Sequence, residues 1–361
     1  MSKNADISKL RNELKVKLKA GNNTTLVDVV LRWIGRGKPA SPMAGTLILF
    51  GLPIFIGFLV AVTMGELEIW KVMIRNLASN SILFLWVIFS LLTATASMIL
   101  ANIYFHRLVA LSRDRTLEIA VSQETLVEVE SWVDLLCNKR FTSLTGLIGG
   151  AVVSPVLISI NSNVLGSFVG IGCSLMLFLF AVQSSLFFGL IYGVLLFVLR
   201  MNRFDLELFK ANPASSEIVT RLSSSLNWFV YLIAAYGALQ TFGIVTLKLP
   251  YFTLILLLFW IPIATIFIAS QFSLAQIIQR AKWKTLNTVQ QEITMIQEKK
   301  SVLKKEDQEN ILWLLNYHDR VKATRNSAFD LNAGLNFLNS LLLPFIGFVL
   351  GNFDKVLAFF R

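Results

Sequence analysis

Residues 81–102 read SILFLWVIFSLLTATASMILAN, and the uncharged run continues as far as position 105. A helix needs about 20 consecutive, mostly apolar residues to cross the hydrocarbon core of a bilayer. This stretch has that length and contains no Asp, Glu, Lys, Arg or His. It therefore predicts a transmembrane helix, and it suggests the class of protein to which the whole chain belongs.

The composition of the whole chain agrees with a membrane protein. Of its 361 residues 55% are hydrophobic and 15% are charged, and the mean hydropathy is +0.65. Soluble domains carry roughly 25% charged residues. The net charge of +11 is spread over loops and forms no patch interleaved with aromatic residues, so we expect no nucleic acid as a partner. We expect instead a lipid bilayer with anionic lipid at the cytoplasmic face.

The same reading along the chain predicts seven transmembrane helices. The seven uncharged stretches are 44–64, 81–105, 144–160, 170–199, 227–245, 251–272 and 331–353. The last one contains Pro344, so it either crosses the bilayer as a kinked helix or re-enters on the same side. Its 23 uncharged residues are enough to cross, and this is the interpretation that we favour.

The basic residues predict how these helices are oriented. Lys and Arg are retained on the cytoplasmic side of membrane proteins. Of the 33 basic residues, 28 fall in alternate segments between the predicted spans, beginning with the N-terminal segment. The sequence thus predicts an all-α, polytopic membrane protein with its N-terminus in the cytoplasm and its C-terminus outside. A bacterial inner membrane is the simplest location.

This topology divides the chain into six segments. They are a cytoplasmic N-terminal segment with an interfacial helix (1–43), transmembrane helices 1 and 2 (44–105), a cytoplasmic helical loop (106–143), transmembrane helices 3 to 6 (144–272), a cytoplasmic helical hairpin (273–330) and a C-terminal transmembrane or re-entrant helix (331–361).

Two of the cytoplasmic segments are patterned as helices. Neither contains Gly or Pro, and their apolar residues recur at spacings of three and four. Both ends of segment 273–330 must return to the same membrane face, so it is predicted to be a hairpin that turns within EKKSVLKKED (298–307). Its arms are expected to pack along Ile278, Val289, Ile293 and Leu314. Segment 106–142 is predicted to be a smaller hairpin, with Leu117, Val121, Leu126, Val129, Val133 and Leu136 on its apolar face.

Residues 22–39, NNTTLVDVVLRWIGRGKP, are predicted to contain a short interfacial helix. Thr25 is suited to cap its N-terminus, Asp28 to its first turn and Gly35 to its end. We expect its apolar face to contact lipid. That face comprises Val27, Val30, Leu31 and Ile34.

Polar and small residues within the spans are the candidate functional positions. Ser90, Thr93 and Ser97 share one helical face, and Asn102 lies nearer the cytoplasmic end. They either line a pore or ligand path or form hydrogen bonds between helices. Two series of small residues at four-residue spacing predict close helix packing. They are Gly146, Gly150 and Ser154, and then Gly166, Gly170 and Ser174.

The sequence contains few of the residues that usually form catalytic or metal sites. It has two histidines and two cysteines, and no predicted span contains Asp, Glu, Lys, Arg or His. His106 is expected to contact headgroups or solvent, and His318 to be a buried structural residue. We predict no catalytic residues, no metal site and no cofactor. The leading function is a non-enzymatic membrane protein whose hairpins make protein contacts, by self-association or with a membrane or cytoplasmic partner. The alternatives are an oligomeric channel and, third, an intramembrane enzyme.

Overall fold

The computed structural model describes residues 2–19, 24–65, 67–79, 81–159, 168–247, 252–298 and 304–326, and almost all of them are helical. The twelve α-helices of these ranges are α1 (Ser2–Lys19), α2 (Leu26–Ile34), α3 (Pro42–Thr63), α4 (Leu67–Ser79), α5 (Ser81–Leu111), α6 (Leu117–Ile119), α7 (Gln123–Cys137), α8 (Lys139–Ser159), α9 (Phe168–Met201), α10 (Glu217–Leu247), α11 (Phe252–Glu298) and α12 (Lys305–Ala323). A π-helical turn, Ser112–Thr116, joins α5 to α6.

Six of the seven predicted spans lie on these helices and pass a helix end by at most one residue, whereas the helices themselves extend beyond the predicted spans. Five of the described helices contain a segment long and apolar enough to cross a membrane, which indicates an integral membrane protein. These segments are Pro42–Thr63, Ile88–Ile119, Ala181–Met201, Glu217–Phe242 and Trp260–Glu298. The prediction for 331–353 lies outside the described residues, and the count of seven remains a prediction.

The polar elements gather at one end of the apolar helices, which we call the charged end. It comprises α1, residues 112–138 and 202–216, and the polar half of α11 with α12. An antiparallel bridge between Ala120 and Leu206 joins two of these segments. Its backbone bonds run from Val121 N to the Asp205 oxygen (3.0 Å) and from Glu207 N to the Ile119 oxygen (2.8 Å).

A cluster of aromatic side chains anchors α7 to the apolar helices. Trp132 of α7 is 1% exposed, and its ring lies 4.4 Å from that of Phe197 on α9 and 5.6 Å from that of Phe105 on α5, centroid to centroid. The indole nitrogen donates a hydrogen bond to the carbonyl oxygen of Gly193 at 2.9 Å. This bond satisfies the one polar group of the indole, so burial of the ring is favourable.

Segment 106–142 differs from the predicted small hairpin. α5 continues past His106 to Leu111, and the helical pattern is then broken by an extended turn at 120–122. Val121, predicted to lie on the apolar face, is partly exposed in that turn, whereas the other five residues predicted for that face are buried. The helical pattern ends here because Ala120, next to Val121, pairs with Leu206 in an antiparallel bridge that holds the backbone extended. α7 consequently lies against α9 and α1.

The N-terminal helix α1 covers α7. The side chains of Leu14 and Leu18, on α1 itself, are buried in the protein core. Arg11 donates a hydrogen bond to the Ala120 oxygen at 2.8 Å. Two lysines reach carboxylates on the other side of the contact: Lys15 to Glu118 (2.9 Å), and Lys17 to Glu130 (2.6 Å) and Asp134 (2.9 Å). No helix was predicted here, although Ile7, Leu10, Leu14 and Leu18 have helical spacing.

The predicted interfacial helix is α2, with the predicted cap. The Thr25 hydroxyl accepts from the Asp28 N–H, and the Asp28 carboxylate accepts from the Thr25 N–H, which is a capping box. The expectation that its apolar face contacts lipid is wrong for Val27 and Leu31. Both are buried in the protein core, because polar side chains beside them bind α5, as described below. Trp33 is 73% exposed and remains available to a headgroup region.

Segment 273–326 is an antiparallel helix pair, as predicted. α11 is one uninterrupted helix of 47 residues, so the apolar span and the first arm of the hairpin are continuous. The prediction that the arms pack along Val289, Ile293 and Leu314 is confirmed, since these three form a separate buried cluster. The fourth residue, Ile278, lies instead in the main core, because this part of α11 still contacts the other long helices.

Candidate functional site

A concave surface lies between the helix pair and the rest of the charged end. We call it the hairpin cleft, and its volume is about 1000 Å³. One wall is α11 with α12, and the other is the bridge region, residues 121–124 and 203–210. The cleft is lined by Val121, Ser122, Glu124, Arg203, Asp205, Leu206, Glu207, Leu208, Lys210, Arg280, Ala281, Lys284, Thr285, Thr288, Val289, Glu292, Trp313, Leu314 and Tyr317.

The wall formed by the helix pair is held rigid by a buried lysine. Lys282, which is 5% exposed, donates from Nζ to the carbonyl oxygens of Lys322 (2.7 Å) and Thr324 (2.8 Å) and to Oδ1 of Asn326 (2.7 Å). The two carbonyls belong to the C-terminal end of α12, where helix carbonyls lack partners within the helix. A cation at this end also interacts favourably with the helix dipole. Lys282 therefore fixes the end of α12 against α11.

Aromatic side chains on α12 form the rim of the cleft. The rings of Trp313 and Tyr317 are stacked, with centroids 5.7 Å apart and planes 3° from parallel. Trp313 is 64% exposed. An exposed tryptophan at the edge of a concave surface is the kind of residue that is enriched in binding sites.

The opposite wall is ordered by backbone and side-chain hydrogen bonds. The bridge at Ala120 and Leu206 holds the segment 204–209 extended, with Leu206 and Leu208 buried and the side chains between them exposed. The Thr125 hydroxyl accepts a bond from Asp205 N at 2.9 Å. Ser122 caps α7 by accepting from Thr125 N. The cleft thus has two walls of defined conformation.

The cleft carries equal numbers of positive and negative side chains. Four basic residues line it, Arg203, Lys210, Arg280 and Lys284, and four acidic residues, Glu124, Asp205, Glu207 and Glu292. Its floor includes apolar side chains of α11, α12 and the extended segment. A cleft of this kind matches a ligand that has charges of both signs and an apolar part.

The predicted polar stripe on α5 does not line this cleft. Ser90 and Ser97 are buried, and the Ser90 hydroxyl has no hydrogen-bond partner among the described residues. Thr93 is half-buried and donates its hydroxyl proton to the Phe89 carbonyl within the same helix. The prediction that these hydroxyls line a pore or ligand path stays a prediction.

Asn102, the fourth predicted residue, belongs to a polar cluster that joins α2 to α5. Its Nδ2 donates to Asp28 Oδ1 at 2.9 Å, and the Thr25 hydroxyl lies 2.6 Å from its Oδ1. The Nε2 of His106 lies 2.7 Å from Asp28 Oδ2. His106, expected to contact headgroups or solvent, is partly exposed and also binds Asp28, because α5 continues through position 106 and brings this ring to α2.

The cluster stabilises the ionised form of Asp28. Burial alone would raise the pKa of this carboxyl, but hydrogen bonds from His106, Asn102 and the Thr25 backbone outweigh burial and lower the pKa below its ordinary value. Asp28 is thus a partly buried anion whose partners all lie on the contact between α2 and α5. Its role is to hold α2 on the body of the protein.

The predicted small residues lie at the contact of α8 with α9. A Cβ at Gly146 would come within 2.9 Å of Leu186 Cδ2, and one at Gly150 within 2.6 Å of Val182 Cγ2. Gly149, not singled out from the sequence, faces Ser185 equally closely. Ser154 lies in α8, Gly170 and Ser174 lie in α9, and Gly166 is outside the described residues. Gly146 and Gly150 thus serve close packing between these two helices.

Among the described residues, the His, Cys, Asp and Glu side chains form no group of three or more that could hold a metal ion. Burial, with the carboxylates of Asp28 and Asp134, raises the pKa of the Cys137 thiol to about 12, so this cysteine is not activated as a nucleophile. His318 is half-buried and lies 3.3 Å from the exposed Asp319.

No family model, curated protein or solved structure matches this chain.

Proposed function

We propose that the chain is a non-enzymatic, multi-pass membrane protein whose hairpin cleft binds a segment of a protein partner. In this proposal the protein has seven spans in a bacterial inner membrane, with its N-terminus and charged end in the cytoplasm and its C-terminus outside. The excess of basic residues in alternate segments supports this orientation. The cleft would then open into the cytoplasm.

The observation that carries the proposal is the balanced charge of the cleft. A phosphate-rich ligand, such as nucleic acid, is recognised by an excess of positive charge. Here each basic side chain has an acidic counterpart, which would repel such a ligand. A polypeptide segment carries both kinds of charge together with apolar side chains, and it can satisfy both sets of residues.

The walls of the cleft suggest how a segment would be held. An apolar side chain of the partner would pack against the stacked rings of Trp313 and Tyr317. Acidic side chains would face Arg280 and Lys284 on α11, and basic ones would face the acidic residues of the opposite wall. Because Lys282 fixes α12 to α11, the wall is largely organised before binding, which reduces the entropy cost of association.

Site-specific photocrosslinking in the cell that naturally makes the protein tests this proposal. A photoreactive amino acid is placed at Thr288, which lines the cleft, or at Gln290, which is also exposed on α11 but does not line it. We expect one discrete protein adduct at position 288 and none at 290. The adduct should weaken when Lys284 is changed to Glu. Equal adducts at both positions, or none, would contradict the proposal.

Flux measurements distinguish this function from a channel. The burial of Ser90 and Ser97 favours a packing role for these hydroxyls. We therefore expect liposomes that contain the purified protein to show no more ion flux than protein-free liposomes. Flux that disappears in a Thr93→Leu variant would instead support the channel.

A further inference from the structure

A second groove at the charged end has a different chemical character from the hairpin cleft. It lies between the end of α5 and the start of α10 and has a volume of about 750 Å³. Three arginines line it, together with three hydroxyl side chains: Arg107, Arg115, Arg221, Thr220, Ser224 and Ser225. We call it the arginine groove.

The groove retains a positive excess after its ion pairs are counted. Asp114 is the one acidic side chain that lines it, and this carboxylate is bound by Arg113 at 2.6 and 2.8 Å. Glu217 lies 2.6 Å from Arg221 and 3.8 Å from Arg115, so a single carboxylate is shared by two guanidinium groups. Arg107 lies over the ring of Tyr104 and has no carboxylate partner among the ion pairs of the described residues.

The backbone at the groove is also unusual. Arg115 belongs to the π-helical turn Ser112–Thr116, and π-helical turns within α-helices are rare and frequent at functional sites. The turn directs Arg113 toward Asp114 and Arg115 toward α10. The guanidinium group of Arg115 therefore lies at the groove, and Asp114 is paired with Arg113 instead.

Aromatic residues lie on the membrane side of these arginines on both helices. α5 runs toward the charged end, so Tyr104 lies three residues, about 4.5 Å, deeper than Arg107. α10 runs away from the charged end, so Trp228 lies seven residues, about 10 Å, deeper than Arg221. Trp228 is 60% exposed on the protein. Tyr and Trp are enriched at the level of lipid headgroups, with apolar chains beneath them.

From this arrangement we infer that the arginine groove binds the phosphodiester headgroup of an anionic phospholipid. The guanidinium groups of Arg107, Arg115 and Arg221 bind the phosphate, and the hydroxyls of Ser224 and Ser225 donate to its oxygens or to the headgroup. The Thr220 hydroxyl donates instead to the Ser216 carbonyl within α10. The acyl chains run past Tyr104 and Trp228. A free phosphate has the same charge as the headgroup. The lipid is favoured because Tyr104 and Trp228 lie where acyl chains would pass, and a free phosphate would not contact them. This site is independent of the function proposed for the hairpin cleft.

The test is a lipid titration of the full-length protein in detergent, read by native mass spectrometry. The probes are phosphatidylglycerol, phosphatidylcholine of the same chain length, and inorganic phosphate alone. We expect tight retention of one phosphatidylglycerol molecule and weaker retention of phosphatidylcholine. Equal retention of both lipids, or equally tight binding of inorganic phosphate, would overturn the lipid assignment.

Three variants assign the binding to the groove. A basic residue near an anionic lipid surface contributes about 1 kcal/mol, or about fivefold in affinity. Arg115→Gln with Arg221→Gln should therefore weaken phosphatidylglycerol binding by about 25-fold. Glu217→Gln, which removes the shared carboxylate, should strengthen it. Arg140→Gln, an exposed arginine on α8 outside the groove, should leave it unchanged.

All of these side chains are largely exposed, so folding should be preserved, and circular dichroism verifies this for each variant. The opposite signs expected for the Arg115/Arg221 and Glu217 variants separate a headgroup site from a general effect on the protein. An unchanged affinity in both would overturn the proposal.

Discussion

The ammonium group of Lys282 lies 2.8 Å from the carbonyl oxygen of Thr324, and it reaches the Lys322 oxygen and the Asn326 side chain at 2.7 Å. One side chain from the middle of α11 thus binds three acceptors at the end of α12. The aliphatic stem is buried with the ammonium group, so the charge depends on these acceptors. This contact fixes the angle of the wall on which the hairpin cleft is built.

Replacing Lys282 with Met should release the end of α12. The change keeps an apolar stem of similar length but leaves two helix carbonyls without their donor, and hydrogen bonds to charged groups contribute about 1.5–3 kcal/mol each. We expect rapid proteolysis near residues 322–326 and faster hydrogen exchange in α12. Lys284→Met, two residues away and exposed, is the matched control and should behave like the wild type.

The cluster around Asp28 predicts how stability depends on pH. The folded-state pKa of this carboxyl is lowered, so its contribution is complete above about pH 5 and is lost as the pH falls through the folded pKa. Asp28→Asn should lower the free energy of unfolding by about 1–3 kcal/mol at pH 7 and by less at acidic pH. Thermal unfolding in detergent between pH 7 and pH 3 measures this difference.

Asp319→Asn is the control for that series. Asp319 also faces a histidine, His318, but its side chain is 78% exposed and the distance is 3.3 Å. Its substitution should change the unfolding temperature little at any pH. If the Asp28 and Asp319 variants respond to pH alike, the buried cluster does not stabilise α2 in the way described.

The packing of α8 on α9 predicts a strong effect of side-chain size at Gly150. A larger side chain there would meet both the side chain and the backbone nitrogen of Val182, so α8 would have to move. Overpacking of this kind costs about 1–3 kcal/mol or more. Gly150→Leu should lower the unfolding temperature clearly, whereas Gly51→Leu in α3, where a Cβ meets no atom within 4 Å, should be tolerated.

The proposed orientation predicts that Arg361 lies outside the cell. In a chain with Cys137→Ser, Cys173→Ala and Arg361→Cys, the new thiol should react with an impermeant maleimide that is added to intact cells. A thiol that reacts only after the membrane is opened would show that segment 331–353 does not cross, and the number of spans would fall to six.

The spans were predictable from sequence because hydrophobic length is a local property. The uncharged runs place α3, α5 and α9 to α11 closely, and the spacing of Val289, Ile293 and Leu314 gives the packed face of the hairpin. The cap of α2 was likewise local, since Thr25 and Asp28 are three residues apart. Each of these features depends on residues that are close in the chain.

The hairpin cleft and the polar contacts of Lys282 and Asp28 were not predictable, because they depend on residues far apart in sequence. Lys282 meets Thr324 across 42 residues, and Asp28 meets His106 across 78. Lys282 was not singled out from the sequence, and His106 was expected to contact headgroups or solvent, because the pattern of one helix does not show its distant partners. The extended pairing of Ala120 with Leu206, which forms one wall of the cleft, interrupts a helical pattern that the sequence continues.

The rate at which a cysteine in the hairpin cleft reacts with a maleimide tests most directly whether a protein segment occupies the cleft. Thr288→Cys and Gln290→Cys are compared, each without the two native cysteines, by their rates of reaction with a membrane-permeant maleimide. If a protein segment occupies the hairpin cleft, position 288 should react at least tenfold more slowly in native membranes than in the purified protein, and position 290 should react equally in both. Equal rates at position 288 in membranes and in the purified protein would contradict the account.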